Sequence, residues 1–139
     1  MELEKTIDDS FGITNPYLQR MHAEADAIQA FLDESARLED PTSLTIRLNA
    51  MDAYQARLSD MMVRAKAMKE KATNRYVDEN GDRINKLTAT VSNRMISAHL
   101  YEYTVTYTRL ETMYHTLEHL SRNLVTQISY IKEQMKMGL

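Results

Sequence analysis

The residues with the clearest potential for chemistry are two histidines in the last third of the chain. His115 and His119 flank Glu118 in the order His-x-x-Glu-His, which matches the zinc-binding signature of inverted zinc peptidases. Residues four apart lie on one face of a helix, so both imidazoles could reach one metal ion. A catalytic zinc also needs a third protein ligand and a walled cleft, for which the sequence gives no sign. We therefore expect a polar helix flank without metal, and keep a zinc-dependent hydrolase as an alternative.

Other catalytic signatures are missing from the sequence. It contains no glycine-rich phosphate loop, no serine elbow and no paired carboxylates with a plausible pocket. The lack of cysteine removes thiolate metal ligands and cysteine nucleophiles. The sequence therefore predicts a binding protein, not an enzyme, with no cofactor.

Cationic and aromatic residues interleave near the two histidines. Arginine and imidazolium donate hydrogen bonds to oxyanions, and tyrosine offers a π-face for a base. One interpretation is a nucleotide-binding pocket formed where two copies of the chain meet. The other is that the tyrosines are core residues and the charges are solvated. The residues concerned are Tyr101, Tyr107, Arg109, Tyr114, His115, His119 and Arg122.

The first two helices are predicted from their ends and from their apolar periodicity. Asn15-Pro16 is a helix-start signature, because Asn accepts from first-turn amides and Pro loses no hydrogen bond there. We expect this helix to stop near Asp40-Pro41. A second helix should begin at a cap on Thr42 or Ser43 and end at the glycine of Asp78-Glu-Asn-Gly81. Its predicted inner stripe is Leu44, Leu48, Met51, Leu58, Met62 and Ala65, with Tyr54, Met61 and Met68 on the flank.

The end of the chain predicts a short helix and then a long one. The short helix lies between Thr88 and Ala98. In the long helix, apolar residues alternate spacings of four and three over about 33 residues, as in a coiled coil. Tyr101 to Thr108 alternates like a strand, but a lone strand would have no partner, so we predict helix. The fold class is therefore an all-α antiparallel bundle of about four helices with a long, coiled-coil-like C-terminal helix.

Composition and charge limit the partners. Residues 1–14 are predicted to be a flexible acidic arm, with Phe11 and Ile13 against the bundle, and residues 15–139 a single helical domain. The formal charge of -3 argues against strong direct binding to nucleic acid or to an anionic membrane. The acidic start, the lack of a long apolar run and the lack of cysteine favour a cytoplasmic protein. The apolar stripe of the long helix is longer than one short neighbouring helix can cover, which predicts a homo-oligomer.

Two segments carry a family resemblance. Arg47 to Lys66 reads RLNAMDAYQARLSDMMVRAK, and His119 to Met135 reads HLSRNLVTQISYIKEQM. Together they resemble small helical proteins encoded among the early genes of bacteriophages and prophages, a family without an established activity. The matching positions are Arg47, Tyr54, Arg57, Met61, Ala65, Lys66, His119, Ser129, Lys132 and Glu133, and the pattern departs at Val125, where the family has arginine.

The resemblance implies a viral setting and adds candidate ligand-binding residues to those of the fourth helix. If the second and fourth helices pack antiparallel, Arg57 could approach His119 and form a small cationic site. Salt bridges from these cations to Glu111, Glu118 or Glu133 are the alternative. The full candidate set is Tyr54, Arg57, Lys66, Arg109, His115, His119, Arg122 and Lys132.

Two functions from different classes follow from these observations. In the first, a phage protein in the bacterial cytoplasm antagonises a host defence, by sequestering a nucleotide-like immune signal or by occluding a defence protein. In the second, it is an accessory of phage replication or recombination that docks on a single-strand DNA-binding or annealing protein.

Overall fold

The protein is all-helical in its computed structural model, which describes residues 11–34 and 40–138. Its helices are α1 (Pro16–Asp33), α2 (Pro41–Asn85), α3 (Ala89–His99) and α4 (Tyr101–Lys136). The segment from Tyr101 to Thr108 is helical, and no strand occurs within these residues. The predicted all-α fold with a long C-terminal helix is confirmed.

Helix α1 begins where the sequence predicts. The Asn15 side chain accepts hydrogen bonds from the amides of Tyr17 and Leu18, and Pro16 occupies the first turn. The predicted end near Asp40 is wrong, because α1 ends at Asp33 and residues 35–39 lie outside the described residues. Most of the predicted acidic arm, residues 1–10, also lies outside them, whereas Ile13 is buried in the core.

Helix α2 begins and ends differently from the prediction. Asp40, not Thr42 or Ser43, is its cap, accepting from the amides of both these residues. At the other end the helix runs through Gly81 to Asn85, and the positive backbone φ angles fall at other glycines. A glycine in a helix interior costs only about 1 kcal/mol. Helix α2 tolerates this cost because its next turn contacts α3, where the Ser92 hydroxyl donates a hydrogen bond to the Ile84 carbonyl.

Replacing Gly81 with alanine should raise the free energy of unfolding by about 0.5–1 kcal/mol. A Cβ at this position meets nothing within 4 Å, so the gain in helix propensity carries no steric cost. Thermal unfolding followed by circular dichroism would measure the change. The control is Gly12→Ala, which should destabilise the protein because Gly12 has a φ of 68°. An unchanged or lower midpoint for Gly81→Ala would contradict a helical position 81.

The short third helix and the long fourth helix are both present, and they are separate elements joined at Leu100, a point that the sequence leaves open. Leu100 is buried and caps both helices, donating its amide to the Ile96 carbonyl and accepting from the Thr104 amide. The His99 ring stacks on Tyr76 of α2, with 4.3 Å between centroids. These contacts hold α3 against the C-terminal end of α2.

The bundle is built on the long pair of α2 and α4, which packs antiparallel as predicted. Residues 48–55 lie beside residues 118–126, while residues 66–73 lie beside Tyr107. Helix α1 runs parallel to α4 and antiparallel to α2, as its polar contacts show. The largest fully buried side chains are Leu18, Leu58, Met61, Thr106, Leu110 and Leu117.

Two predicted core assignments change. Met61 is buried and Met62 half-buried, the reverse of the prediction, because α2 buries the side that faces α1 as well as the side that faces α4. Near the end of α4, Met135 continues the four-and-three spacing of apolar residues that predicts the core side of the helix, but it is exposed. Within the described residues, no helix is both long and apolar enough to span a bilayer.

Candidate functional site

The predicted ligand-binding residues do not converge on one site. Tyr54 is half-buried with its ring 4.9 Å from that of Phe31. Lys66 lines a hollow of about 330 Å³ with Tyr107, and Arg122 lines a second hollow further along the same two helices. The side chains of His115, His119 and Lys132 are exposed on α4. The remaining two residues, Arg57 and Arg109, both bind carboxylates of α1.

Arg57 is held on the α1 side of α2. Its guanidinium makes two 2.6 Å hydrogen bonds to Glu24 and one of 2.9 Å to Asp60. The bonds to Glu24 raise the pKa of Arg57 and lower that of the Glu24 carboxyl. A lowered folded-state pKa means that this pair stabilises the fold above the ordinary carboxyl range and loses that contribution as pH falls through the lowered value.

The predicted approach of Arg57 to His119 is wrong, because the acidic partners of Arg57 lie on α1 and on its own helix. His119 lies instead 3.5 Å from the Asn123 amide nitrogen. His115 stands edge-on to the ring of Tyr114. Across residues 11–34 and 40–138, no cluster of three histidine or acidic side chains could hold a metal ion.

The groove between α1 and α2 brings together the cations best placed to bind a ligand. We call it the arginine groove, a hollow of about 490 Å³ rimmed by Arg20, Arg57 and Arg64. Tyr17 stands at one end with 64% of its surface exposed, and the Arg20 guanidinium lies 5.6 Å from its ring centroid. The remaining lining residues are Met21, Glu24, Met61, Ala67 and Met68.

The arginines of this groove outnumber its carboxylates. Asp60 is shared, since Arg64 lies 3.1 Å from the same carboxylate that binds Arg57. Glu24 is taken by Arg57. No ion pair among the described side chains includes Arg20. Among the described side chains, one positive charge in the groove is therefore left without an opposite charge.

Tyr17, Arg20 and Arg64 are not among the ligand-binding residues predicted from the sequence. A signal was present in the spacing. Tyr17, Arg20 and Glu24 lie three and seven residues apart, as do Arg57, Asp60 and Arg64, and this spacing places each set on one face of its helix. Only tertiary packing brings these faces of α1 and α2 together.

A second polar cluster lies on the other side of α1, against α4. The Arg109 guanidinium lies 2.5 Å from Asp26, and it also donates to the Nδ1 atom and the carbonyl of His22. His22 is 2% exposed, and its Nε2 lies 2.9 Å from the Thr106 hydroxyl. The second oxygen of Asp26 is buried and has no hydrogen-bond partner among the residues that the structure describes.

The donors in this cluster determine the tautomer of His22. Arginine only donates, so Nδ1 must accept and the ring proton sits on Nε2. Nε2 then donates to the Thr106 hydroxyl, which donates in turn to the Glu102 carbonyl at 2.7 Å. The Phe11 ring stacks on His22 and lies 5.0 Å from the Arg109 guanidinium. This cluster therefore holds residue 11 and α1 against α4, and Arg109 has a structural role.

Comparisons with known proteins add no further assignment. No protein-family model, no curated protein and no solved structure matches this chain. The resemblance to phage early-region proteins stays a prediction.

Proposed function

We propose that this protein is a non-catalytic binding protein that captures a nucleotide-like anion in the arginine groove. The observation that carries the proposal is the unbalanced charge of that groove, where three arginines face two carboxylates. An anion bound beside Arg20 and Arg64 would supply the missing negative charge. Arginine suits a phosphate in particular, because its planar guanidinium donates two parallel hydrogen bonds to phosphate oxygens.

The rest of the groove suits the planar, less polar part of such a ligand. Tyr17 exposes its ring at one end of the groove, where a base could stack on it. The half-buried Met68 contributes apolar, polarisable surface, and Met21 and Met61 are buried beneath the groove. The volume of about 490 Å³ lies in the ordinary range for small-molecule sites. The groove therefore combines a phosphate-binding rim with a surface for a base.

The resemblance to phage early-region proteins gives this activity a setting. There, capture of a nucleotide-like immune signal in the bacterial cytoplasm would withhold it from a host defence. A protein partner is the second candidate, either a defence protein that is occluded or a single-strand DNA-binding or annealing protein. The half-buried Met68 of the groove favours it, because methionine side chains adapt to partners of different shape.

Isothermal titration calorimetry with linear and cyclic mono- and dinucleotides tests the proposal. At least one of these ligands should bind the wild-type protein, and Arg20→Ala should weaken that binding by about 10- to 100-fold, the value of one charge-assisted hydrogen bond. Arg20 is the informative residue because its removal breaks no ion pair within residues 11–34 and 40–138. Affinity should also fall as salt rises, since the contact is largely ionic.

The matched control is Arg94→Ala, which removes an exposed arginine of α3 far along the chain from the groove and should leave affinity unchanged. Absence of binding by every nucleotide, or equal affinity in Arg20→Ala and wild type, would contradict the proposed ligand and site. An acidic peptide that binds in an Arg20-dependent way where nucleotides do not would move the assignment to a protein partner.

A further inference from the structure

The hollow between α2 and α4 that Arg122 lines is separate from the arginine groove. Its volume is about 480 Å³, and all of its lining residues belong to α2 or α4. Leu48 and Val125 give it an apolar wall, and its other lining side chains are polar or charged. Ser121 is one of these polar residues, and we call the space the serine hollow.

Ser121 interrupts the buried apolar stripe of α4. It follows Leu117 by four residues and precedes Leu124 by three, and both leucines are buried. The serine itself is only 9% exposed. Its hydroxyl oxygen is buried and has no hydrogen-bond partner within the part of the chain that the structure describes. A buried hydroxyl without a partner is uncommon and lowers stability. Because Ser121 lines the hollow, a ligand bound there would supply the missing partner.

Other hydroxyl groups of α4 satisfy themselves within the helix. Thr112, Thr116 and Thr126 each donate to the carbonyl four residues earlier, a common arrangement for serine and threonine in helices. The Ser121 hydroxyl makes no such bond to the Leu117 carbonyl. Its capacity to donate and to accept is therefore unused by the residues that the structure describes.

The charged side chains of the serine hollow leave one negative charge in excess. They are the carboxylates of Asp52 and Glu118 and the guanidinium of Arg122. Glu118 and Arg122 pair with each other at 3.2 Å. Asp52 takes part in no ion pair with another described side chain. The hollow therefore favours a ligand with one positive charge.

We propose that the serine hollow binds a small molecule that carries one primary ammonium group on an apolar chain or ring. An ammonium group has three donors and no acceptor, so it can donate to the Ser121 hydroxyl and to the Asp52 carboxylate at the same time. Its single charge balances the excess carboxylate. The apolar part of the ligand packs against Leu48 and Val125, of which Val125 is 49% exposed.

An ammonium group fits this wall better than a guanidinium does. The planar guanidinium is suited to two parallel hydrogen bonds to one carboxylate. The donors of an ammonium group diverge and can rotate, so they can reach acceptors on two different helices. Ser121 and Asp52 are such acceptors, because one belongs to α4 and the other to α2.

Titration followed by two-dimensional amide NMR spectra tests the site, with 2-phenylethylammonium as the probe. It should bind the wild-type protein with a Kd of about 1 mM or below, as is usual for a ligand of this size. The largest shifts should fall on residues 48–55 and 118–126, which contain the lining of the hollow. The neutral alcohol 2-phenylethanol has the same shape and should bind about 10-fold more weakly, because it lacks the charge.

Two substitutions test the two contacts of the ammonium group. Ser121→Ala should weaken binding of the probe by at least about 10-fold, the value of one hydrogen bond to a charged group. Asp52→Asn should weaken it by about 3- to 5-fold, since Asp52 is exposed and exposed charge pairs are weak. Ser129→Ala and Asp78→Asn are the matched controls. These residues are exposed on α4 and α2 outside the hollow, so affinity should not change.

Thermal unfolding without ligand gives a second measurement. Ser121→Ala should raise the midpoint by more than Ser129→Ala does. Both substitutions gain helix propensity, but only the first removes a buried hydroxyl without a partner. This comparison also shows that the Ser121→Ala protein is folded.

Four results would overturn the proposal. They are the absence of shifts at millimolar 2-phenylethylammonium, equal binding of 2-phenylethanol, wild-type affinity in Ser121→Ala, and a midpoint for Ser121→Ala no higher than that for Ser129→Ala. The inference does not depend on a ligand in the arginine groove, which lies between α1 and α2 and is proposed to bind an anion.

Discussion

Replacing Arg109 with methionine is expected to lower the free energy of unfolding by about 2–4 kcal/mol. Breaking a buried ion pair costs about 3–5 kcal/mol. The expected loss of unfolding free energy is smaller here because the Arg109 and Asp26 side chains keep 18% and 34% of their surface exposed. The loss comes mainly from the groups left behind. Asp26 already has one buried oxygen without a partner, and His22 Nδ1 would lose its donor.

Urea unfolding followed by circular dichroism measures this change, and Arg57→Met is the matched control. The Arg57–Glu24 pair has two hydrogen bonds of good geometry, but its side chains are 46% and 41% exposed. Exposed pairs contribute about 0–1 kcal/mol. Adding Asp26→Leu to Arg109→Met should recover about half of the loss, because no unpaired carboxylate remains. Equal costs for Arg109→Met and Arg57→Met would contradict a structural role for the inner pair.

Replacing Leu117 with alanine should cost about 2–5 kcal/mol, as for other leucines removed from a packed core. Leu117 is 0% exposed and belongs to the seam between α2 and α4. The change leaves a cavity, while helix propensity is nearly unaffected because leucine and alanine both favour helix. For a chain of this length, whose total stability is of the order of 7–20 kcal/mol, the loss is a large fraction.

Leu120→Ala provides the control on the same helix. Leu120 keeps 37% of its surface exposed, so its truncation should cost no more than about 1 kcal/mol. The same urea experiment measures both variants. A similar cost at positions 117 and 120 would mean that the seam of α4 is rotated from the orientation described here.

Local signals account for the parts of the fold that the sequence predicts. The start of α1 follows from Asn15 and Pro16 alone. In α4 the helical spacing of apolar residues continues over so many turns that it outweighs the strand-like alternation of Tyr101 to Thr108. The predicted end of α2 at Gly81 is wrong, because a glycine alone does not stop a helix. Its intrinsic cost is small, and contacts with α3, distant in sequence, extend the helix past it.

The candidate site is harder to predict, since its residues come together only through packing between helices. Arg57 is predicted as a ligand residue, but its partner Glu24 is 33 positions away, and the sequence does not show which helix face α1 covers. His22 follows Met21 within an apolar pattern and gives no sign that it is paired with Arg109 and Thr106. The spacing of Tyr17, Arg20 and Glu24 was available, but it becomes informative only beside α2.

The direction of the hydrogen bonds around His22 has a consequence for sequence variation at that position. Three hydrogen bonds link these groups in series, and in each the donor lies on the Arg109 side. Arg109 donates to the imidazole, the imidazole donates to the Thr106 hydroxyl, and that hydroxyl donates to the Glu102 carbonyl. A replacement must accept at one end and donate at the other. Glutamine meets that requirement, whereas lysine and arginine only donate and phenylalanine does neither. Natural relatives that change residue 22 should therefore carry glutamine there, or should replace Arg109 and Asp26 together.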